Sequence, residues 1–589
     1  MPLTKKHTTA PEADEAPHGD RAAPRRGMTT SGSHNADFKP NISGDDAPSE
    51  STMTEKDAVF PNHQDKDISS SCPESQTPQE QKQEQRHDDD DDTVDDGTVV
   101  YPKGATRVLI IASLCMSVFL VALDQTIIAP ALGAITAQFV SVTDIGWYGS
   151  AYLLTTTALQ PLYGKLYDGF PVKAVYLVAV FVFEAGSLVC AVAPSSTAFI
   201  VGRALAGVGT AGLFSGAIVV LSYTLPLRRR PLAFGLIGDL PIGGATMVAI
   251  FFLLHVRGQK IQGNVSFLDK VRKLDLLGTG VLIPAVISLL LALQWGGTEY
   301  PWGNSRIIGL FVASAALTAM FIAIQIWKAD DGTLPPRLFR DRNILCAMLY
   351  TFLFGSAFYP IIYYLSVYFQ AVGAGLKLLP LLISCVLTSI LSGALVGSVV
   401  GHYNPIVLTG TALFAVGAGM ISHSFTLDPP LRAWLGYQAL AGLGVGVGFQ
   451  LGILVVQSVL PRGDIPVATA CVQFFQSLGG AVFVAVAQTV FQNGLVEGVR
   501  RGVPRLDPAV LTDAGVSQSK EILRRLGLEA YTTVVMEAYL TGLRRAYYIT
   551  VACAAGAFCA AAGLSWVDIK KLGPGGGGGG KGCGAESWR

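Results

Sequence analysis

The chain has 589 residues, of which 50% are hydrophobic and only 15% are charged, and its 43 basic residues balance its 43 acidic ones. With a mean hydropathy of +0.43, this composition excludes a soluble multidomain protein and favours a polytopic membrane protein. The apolar segments run for about 20 to 30 residues without turn signals, which is too long for the tilted strands of a barrel. We therefore predict an all-α membrane protein.

The chain begins with a polar segment. Residues 1–104 are rich in Pro, Ser, Gln and Asp, include the run Asp88 to Asp92 and show no apolar period. This composition predicts a disordered tail, because such a segment cannot bury enough apolar surface to fold. Met1 to Asp20 lack the apolar core of a signal peptide, so we expect the first spanning helix to direct membrane insertion.

Hydropathy predicts about thirteen spans after this tail. They lie near 107–131, 143–164, 174–194, 197–224, 231–255, 275–295, 306–327, 344–370, 376–400, 405–423, 432–459, 465–491 and 545–567. Basic residues collect in alternate connections, for example at Lys165 and Lys173, at Arg228 to Arg230, and at Lys328. The positive-inside rule predicts that these connections, and with them the N-terminal tail, are cytoplasmic.

One interval breaks the alternation. Arg228–Arg230 and Arg257–Lys273 are both strongly basic, yet only one apolar stretch, Pro231–His255, separates them. Two cytoplasmic loops require an even number of crossings between them. Either this stretch is re-entrant, or it spans and inverts every later loop. We favour the first, because the many later lysines and arginines would resist inversion.

Few polar side chains lie inside the predicted spans. They are Asp124, Gln125, Glu184, Arg203, Gln450, Gln457, Gln473, Gln476 and Gln488. A charge or amide that faces lipid is costly, so we expect most of them to face a central cavity, and Asp124 to mark an ion, proton or substrate path. Asp124 and Arg203 carry opposite charges in the first and fourth spans, so we expect them to pair directly or through water.

Several segments resemble a known family. They are LDQTIIAPALGAITAQF (123–139), GKLYDGFPVK (164–173), VGRALAGVGTAG (201–212), YYLSVYFQAV (363–372), WLGYQALAGLGVGVGFQ (434–450) and DIPVATACVQFFQSLGGAVFV (464–484). Together they resemble the fourteen-span drug:proton antiporters of the major facilitator superfamily. LQWGGTEYPW (293–302) is similar to the fungal branch, which includes mycotoxin and multidrug efflux pumps.

The resemblance implies the major facilitator fold, in which two six-helix bundles are joined by two linker helices. On this pattern the chain has a cytoplasmic tail (1–104), an N-terminal bundle (105–262), the linker helices (263–330), a C-terminal bundle (331–567) and a glycine-rich flexible tail (568–589).

The resemblance also implies roles in proton coupling. Asp124 matches the acidic first-span motif that the family links to proton coupling, and Arg203 matches the arginine assigned to proton transfer. Glu184 has counterparts in the third span, where a structural hydrogen bond is an equal alternative. The substrate cavity is expected to be lined by Gln125, Tyr363, Phe369, Gln450, Gln457, Gln473 and Gln476.

A conformational latch is implied by the loop motif that begins at Gly164. Gly164, Asp168 and Lys173 match its glycine, acid and base, which hold helix ends together across the two bundles during alternating access. Gly169 stands where the motif usually has a basic residue, so the latch is expected to be weaker here.

The largest departure from the family coincides with the charge anomaly. The family has a fifth span with an antiporter motif, followed by a loop and the sequence NLPIG. In this chain GLIG (235–238) runs directly into DLPIGG (239–244), so most of one span is missing near 238–240.

Three functional hypotheses follow. The first is a proton-coupled secondary transporter that exports amphipathic organic molecules, such as toxins, drugs or secondary metabolites, by alternating access. The second is an inactive transporter-like protein, or a faulty gene model that lacks the antiporter helix. The third, a membrane enzyme, fails because His255, His402 and His423 have no second metal ligand at helical spacing.

The expected partners are a small-molecule substrate, protons and the lipid bilayer, with no cofactor, metal or nucleic acid. The glycine-rich stretch Gly575–Lys581 lacks the Ser or Thr of a nucleotide-binding loop. We expect a monomer in the plasma membrane, with the vacuolar membrane as the alternative. Apolar and aromatic residues in the spans do not select one substrate over another.

Overall fold

The computed structural model describes residues 104–139, 144–233, 274–297, 299–372, 378–426, 431–508 and 522–567, with a few isolated positions besides. All of them belong to the second of two units of the chain, Lys82–Arg589. The predicted N-terminal tail, the site near 238–240 at which a span is predicted to be missing, and the glycine-rich C-terminal tail lie outside the described residues.

The N-terminal part contains four long helices joined by short connections. They are α1 (Gly104–Phe139), α2 (Ile145–Gly169), α3 (Val172–Ala191) and α4 (Ser196–Thr224). Ser195 begins α4 as its cap, because its hydroxyl accepts a hydrogen bond from the backbone N–H of Ala198 at 3.3 Å. In this part α4 packs along both α2 and α3.

Two further helices and a second group of helices follow. The first two are α5 (Leu276–Trp295) and α6 (Ser305–Lys328), which were predicted to be linkers and which pack on each other. The second group consists of α7 (Arg342–Val372), α8 (Leu379–Ala394), α9 (Asn404–His423), α10 (Leu431–Gly448), α11 (Leu451–Val459), α12 (Ile465–Gly502) and α13 (Thr532–Ala562). A π-helical turn, Leu395–Val400, continues α8.

Helices α2 and α12 pack across the two groups at Gly164. A Cβ atom on Gly164 would lie 2.6 Å from the Cβ of Ala470 and 3.3 Å from the Cα of Val467. Any larger residue would push the helices apart, so the absence of a side chain permits this approach. We call the end of the bundle that carries Gly164 and Asp464 the Gly164 end.

Eleven helices in the described ranges are long and apolar enough to cross a membrane. Helix α2 is not among them, because polar residues such as Thr156, Thr157 and Gln160 lower its hydropathy. These side chains are buried, at 6%, 0% and 3% exposure. The polar side chains of α2 therefore face the protein interior.

The last two helices extend beyond the predicted spans. Helix α12 continues to Gly502 instead of ending near 491, and α13 begins at Thr532 instead of near 545. The additional turns pack on each other, and Arg545 Nη1 donates to Glu497 Oε2 at 2.7 Å. Hydropathy predicts only the apolar part of each helix. Contact between the two helices, rather than lipid, stabilises their polar turns.

Both described flanks of the unusual 234–273 interval lie at the Gly164 end. On one side, Arg230 Nη1 donates to Gln457 Oε1 at 3.2 Å, near the end of α11. On the other side, Asp275 pairs with Lys328 at the end of α6. The predicted re-entrant stretch Pro231–His255 falls mostly outside the described residues.

Candidate functional site

The centre of the candidate site is an ion pair between α1 and α4. Arg203 Nη1 lies 2.6 Å from Asp124 Oδ2, and the two side chains are 3% and 19% exposed. Arg203 Nε also donates to the backbone carbonyl of Tyr148 at 3.0 Å. Each charge is thus compensated by the other in an otherwise apolar bundle, which makes both tolerable at membrane depth.

Tyr152 of α2 lies beneath the guanidinium group. The Cζ of Arg203 is 4.3 Å from the centroid of the tyrosine ring, within the range of a cation–π contact. The hydroxyl of Tyr152 shares a hydrogen bond of 2.7 Å with Thr210 Oγ1 and accepts a long one of 3.4 Å from Gln125 Nε2. Gln125, predicted to line the cavity, is therefore placed beside the ion pair.

Two threonines lock α2 against α4 at this level. Thr155 Oγ1 donates to the carbonyl of Ala204 at 2.8 Å, and Thr156 Oγ1 donates to the carbonyl of Gly207 at 3.0 Å. A Cβ on Gly207 would collide with Thr155 and with the backbone of Tyr152, so the glycine permits the close approach. The positions of Tyr152 and Arg203 are consequently fixed relative to each other.

Glu184, the third residue predicted for proton coupling, lies on an exposed part of α3. It is not part of the ion pair of Asp124 with Arg203. The structure thus brings together Asp124 and Arg203 and places Glu184 at the edge of the site.

The three predicted latch residues lie at the Gly164 end. Gly164 is at the contact of α2 with α12, Asp168 is exposed, and Lys173 at the start of α3 is half-buried. The neighbouring Lys165, which the motif does not single out, is 8% exposed and donates to the backbone carbonyl of Asp330 at 3.5 Å. It connects α2 to the turn that follows the linker helices.

Two predicted cavity glutamines bridge the N-terminal and C-terminal groups. Gln473 Oε1 accepts a hydrogen bond of 2.9 Å from Ser215 Oγ of α4, and Gln457 Oε1 accepts one from Arg230. Arg230 also donates to the carbonyl of Ser222 at 2.7 Å. These buried amides therefore hold the two groups together at, or close to, the Gly164 end.

The other predicted cavity residues differ in their surroundings. Gln476 is 5% exposed, and its Nε2 has no hydrogen-bond partner among the described residues; the same is true of Gln450 Oε1. Gln450 lines a water-sized cavity of about 10 Å³. Tyr363 is 50% exposed on α7. Phe369 is 1% exposed and contacts the ring of Trp434 at 4.6 Å, so it belongs to an aromatic cluster.

A second buried carboxylate, Asp275, was missed by the sequence analysis. Its side chain is fully buried and accepts from five donors: Gly278 N at 2.8 Å, Gln325 Nε2 at 2.7 Å, Lys328 Nζ at 2.9 Å, and Thr333 N and Oγ1 at 2.9 and 3.0 Å. The available signal was an aspartate at the cap position before an apolar run.

These donors outweigh the effect of burial on Asp275. Burial raises the pKa of Asp275, but the hydrogen bonds from Gln325, Lys328, Gly278 and Thr333 lower it by more. The pKa therefore falls from its ordinary value of 3.8 to about 2. Asp275 therefore remains ionised at any physiological pH. It joins the start of α5 to the turn after α6.

Two parts of the chain match known protein families. Residues 114–253 match the Major Facilitator Superfamily, and residues 244–538 match the fungal trichothecene efflux pump family (TRI12). The chain belongs to the major facilitator superfamily. It falls within the fungal efflux-pump branch of that superfamily, which confirms the resemblance noted from the sequence motifs.

Three relatives illustrate this membership. The MFS-type efflux pump MFS1 of Arthroderma benhamiae is 42% identical over 511 residues, covering 81% of this chain and 94% of the relative. The efflux pump aunC of Aspergillus niger is 41% identical, covering 79% and 87%. The efflux pump aflT of Aspergillus parasiticus is 39% identical, covering 80% and 97%.

The match to the Arthroderma pump is longer than the part of this chain that it covers. It extends over 511 residues, whereas 81% of 589 residues is about 477, which leaves about 34 positions without a counterpart here.

The family membership establishes the general activity. The protein is a multi-pass membrane protein and a secondary transporter of small organic molecules within the lipid bilayer, and it is not an enzyme. The all-helical architecture predicted from the sequence is confirmed.

Proposed function

We propose that this transporter is a proton-coupled exporter in which Asp124 carries the proton. The observation that supports this most strongly is the ion pair of Asp124 with Arg203, since this contact of opposite charges joins α1 to α4. A carboxylate at membrane depth can exist in a charged and a neutral form, and each form suits a different set of contacts.

The two partners have different roles in this proposal. Arg203 keeps its charge under all conditions, because a guanidinium group does not lose its proton in proteins. Asp124 can take up a proton, and the ion pair then loses its Coulombic attraction. Protonation thus loosens the contact between α1 and α4, while deprotonation restores it.

Alternating access would use the contacts at the Gly164 end. There α2 touches α12, Ser215 bonds Gln473, and Arg230 bonds Gln457. These contacts must separate when the substrate site opens towards this side and reform when it closes. Asp168 and Lys173 would complete the latch, and the basic residues at this end would make it cytoplasmic, together with the N-terminus.

For domain organisation, we propose that 105–262 and 331–567 form the two moving bundles, with 263–330 as the linker. We further propose that the protein acts as a monomer in the plasma membrane, with the vacuolar membrane as the alternative.

The substrates we propose are amphipathic organic molecules such as toxins, drugs or secondary metabolites. One matching family is named for trichothecene efflux, and the relatives are named efflux pumps. The Nε2 of Gln476, which has no hydrogen-bond partner among the described residues, and the half-exposed ring of Tyr363 are suitable contacts for a molecule with polar and aromatic parts.

The proposal can be tested in inside-out membrane vesicles from cells that express the chain. Vesicles with an acidified lumen should accumulate amphipathic fluorescent dyes, rhodamine 6G among them, and should lose them when nigericin collapses the pH gradient. Vesicles without the chain are the control. Accumulation that persists after collapse of the gradient would contradict proton coupling.

A further inference from the structure

Tyr152 contacts Arg203 through an uncharged ring whose position does not depend on Asp124. Its ring centroid lies 4.3 Å from the guanidinium carbon, and its ring is fully buried. The other contact that fixes the guanidinium is the backbone carbonyl of Tyr148, which accepts from Nε at 3.0 Å. Neither group changes its charge when Asp124 takes up a proton.

The ring is held rigidly in this position. Its hydroxyl shares a 2.7 Å hydrogen bond with Thr210, which lies two turns beyond Arg203 on α4. The same section of α2 is locked to α4 by Thr155 and Thr156. The aromatic face therefore remains beneath the guanidinium group even if α1 moves away with Asp124.

We propose that Tyr152 is a positioning residue that keeps Arg203 in place while Asp124 is protonated. This inference rests on the proposed proton coupling. When the carboxylate is neutral, a 3% exposed guanidinium has lost its counter-ion, and the electron-rich ring face compensates part of that loss. Because the negative charge of Asp124 opposes the field of the guanidinium group at the ring, the contact is stronger when Asp124 is neutral. Tyr152 thereby lowers the free-energy cost of protonating Asp124.

Other titratable groups lie around the ion pair. Among the described residues, α3 contributes Glu184 and Cys190, both of which interact electrostatically with Asp124, and α2 contributes Tyr148 and Tyr152. Glu184 is exposed, and of these residues Tyr152 has its ring against the guanidinium group. The proposed effect is therefore specific to this aromatic ring.

The substitution Tyr152→Leu removes the ring, and Tyr152→Phe keeps its face but removes the hydroxyl. Tyr167→Leu is the matched control: Tyr167 is fully buried on the same helix, and its hydroxyl donates to the carbonyl of Gly212 at 2.9 Å. Both leucine variants lose a tyrosine ring from the α2–α4 contact, so a general packing defect would affect them alike.

The readout is the infrared carbonyl stretch of a protonated carboxylic acid in the purified full-length protein, titrated with pH. The band that Asp124→Asn abolishes reports on Asp124, and no substrate is needed. For Tyr152→Leu we expect its titration midpoint to fall by about one pH unit, the size of a desolvated cation–π contact. Tyr152→Phe and Tyr167→Leu should keep the wild-type midpoint.

The outcomes separate this inference from the proposed function. If no titrating band depends on Asp124, both proton coupling and the role of Tyr152 are rejected. If the band is present but Tyr152→Leu leaves its midpoint unchanged, or Tyr167→Leu shifts it equally, only the role of Tyr152 is rejected.

Discussion

Asp124 and Asp275 are both carboxylates within the helical assembly, but their surroundings differ. Asp275 is fully buried and has five donors, whereas Asp124 is 19% exposed and pairs with Arg203 alone among the contacts given above. A carboxylate saturated with donors holds its charge permanently. The proton exchange proposed for Asp124 requires a carboxylate that is not saturated in this way.

The largest effect should follow from Asp275→Ala. This change removes all five contacts and leaves the ammonium of Lys328 without its partner, so we expect a loss of about 3 to 5 kcal/mol of stability. Thermal unfolding of the detergent-purified protein should show it. Asp330→Ala is the control, because that side chain is 72% exposed. An unfolding temperature close to wild type for Asp275→Ala would refute the structural role.

Arg203→Lys should have an intermediate effect on transport. An ammonium group lacks the planar geometry that contacts Asp124, Tyr148 and Tyr152 together, and it can lose its proton when buried. We expect gradient-driven dye export to fall, and to fall further as the pH rises. Equal export by both proteins at every pH would remove the geometric part of the argument.

The pH dependence of stability should show that Asp275 stays ionised, although the expected effect is small. Because the pKa of Asp275 is lowered from 3.8 to about 2, its stabilising contribution is fully present above pH 3.8 and is lost as the pH falls towards 2. Asp275 should therefore contribute no change in unfolding temperature between about pH 5 and pH 8. A difference between wild type and Asp275→Asn that varies across this range would contradict the assignment.

Asp275 lies at the same end of the bundle as Lys165 and Arg230, so all three residues should lie on one side of the membrane. In a variant without the nine native cysteines, cysteines placed at Gln262 and Gly332 should both be shielded from an impermeant reagent in intact cells. Labelling at both positions would show an inverted topology. Gln262 lies outside the described residues, so its side of the membrane is predicted from the basic charge of its loop and from the described residues on either side of that loop.

Much of the fold could be predicted from the sequence, because length and hydropathy identify membrane helices. The sequence also indicated Asp124 and Arg203, since charged residues are rare in such helices and stand out. It did not predict the polar turns by which α12 and α13 extend beyond the predicted spans, because contacts between these two helices stabilise them.

Tyr152 and Asp275 could not be recognised from the sequence as parts of a network. Buried tyrosines are common in this protein, and only the packing of α2 on α4 shows which one contacts a cation. Asp275 depends on Gln325 and Thr333, which lie 50 and 58 residues away along the chain. Contacts at such separation leave no local pattern.

The most direct test of the central claim is proton movement that accompanies substrate movement. In proteoliposomes with an acid lumen and a trapped pH indicator, a dye that the wild type transports should raise the luminal pH when added outside. Asp124→Asn should bind the dye but leave the luminal pH unchanged, while Glu537→Gln, which removes an exposed acid from α13, should behave like wild type. Equal alkalinisation by Asp124→Asn and wild type would contradict the role of Asp124 as the proton carrier.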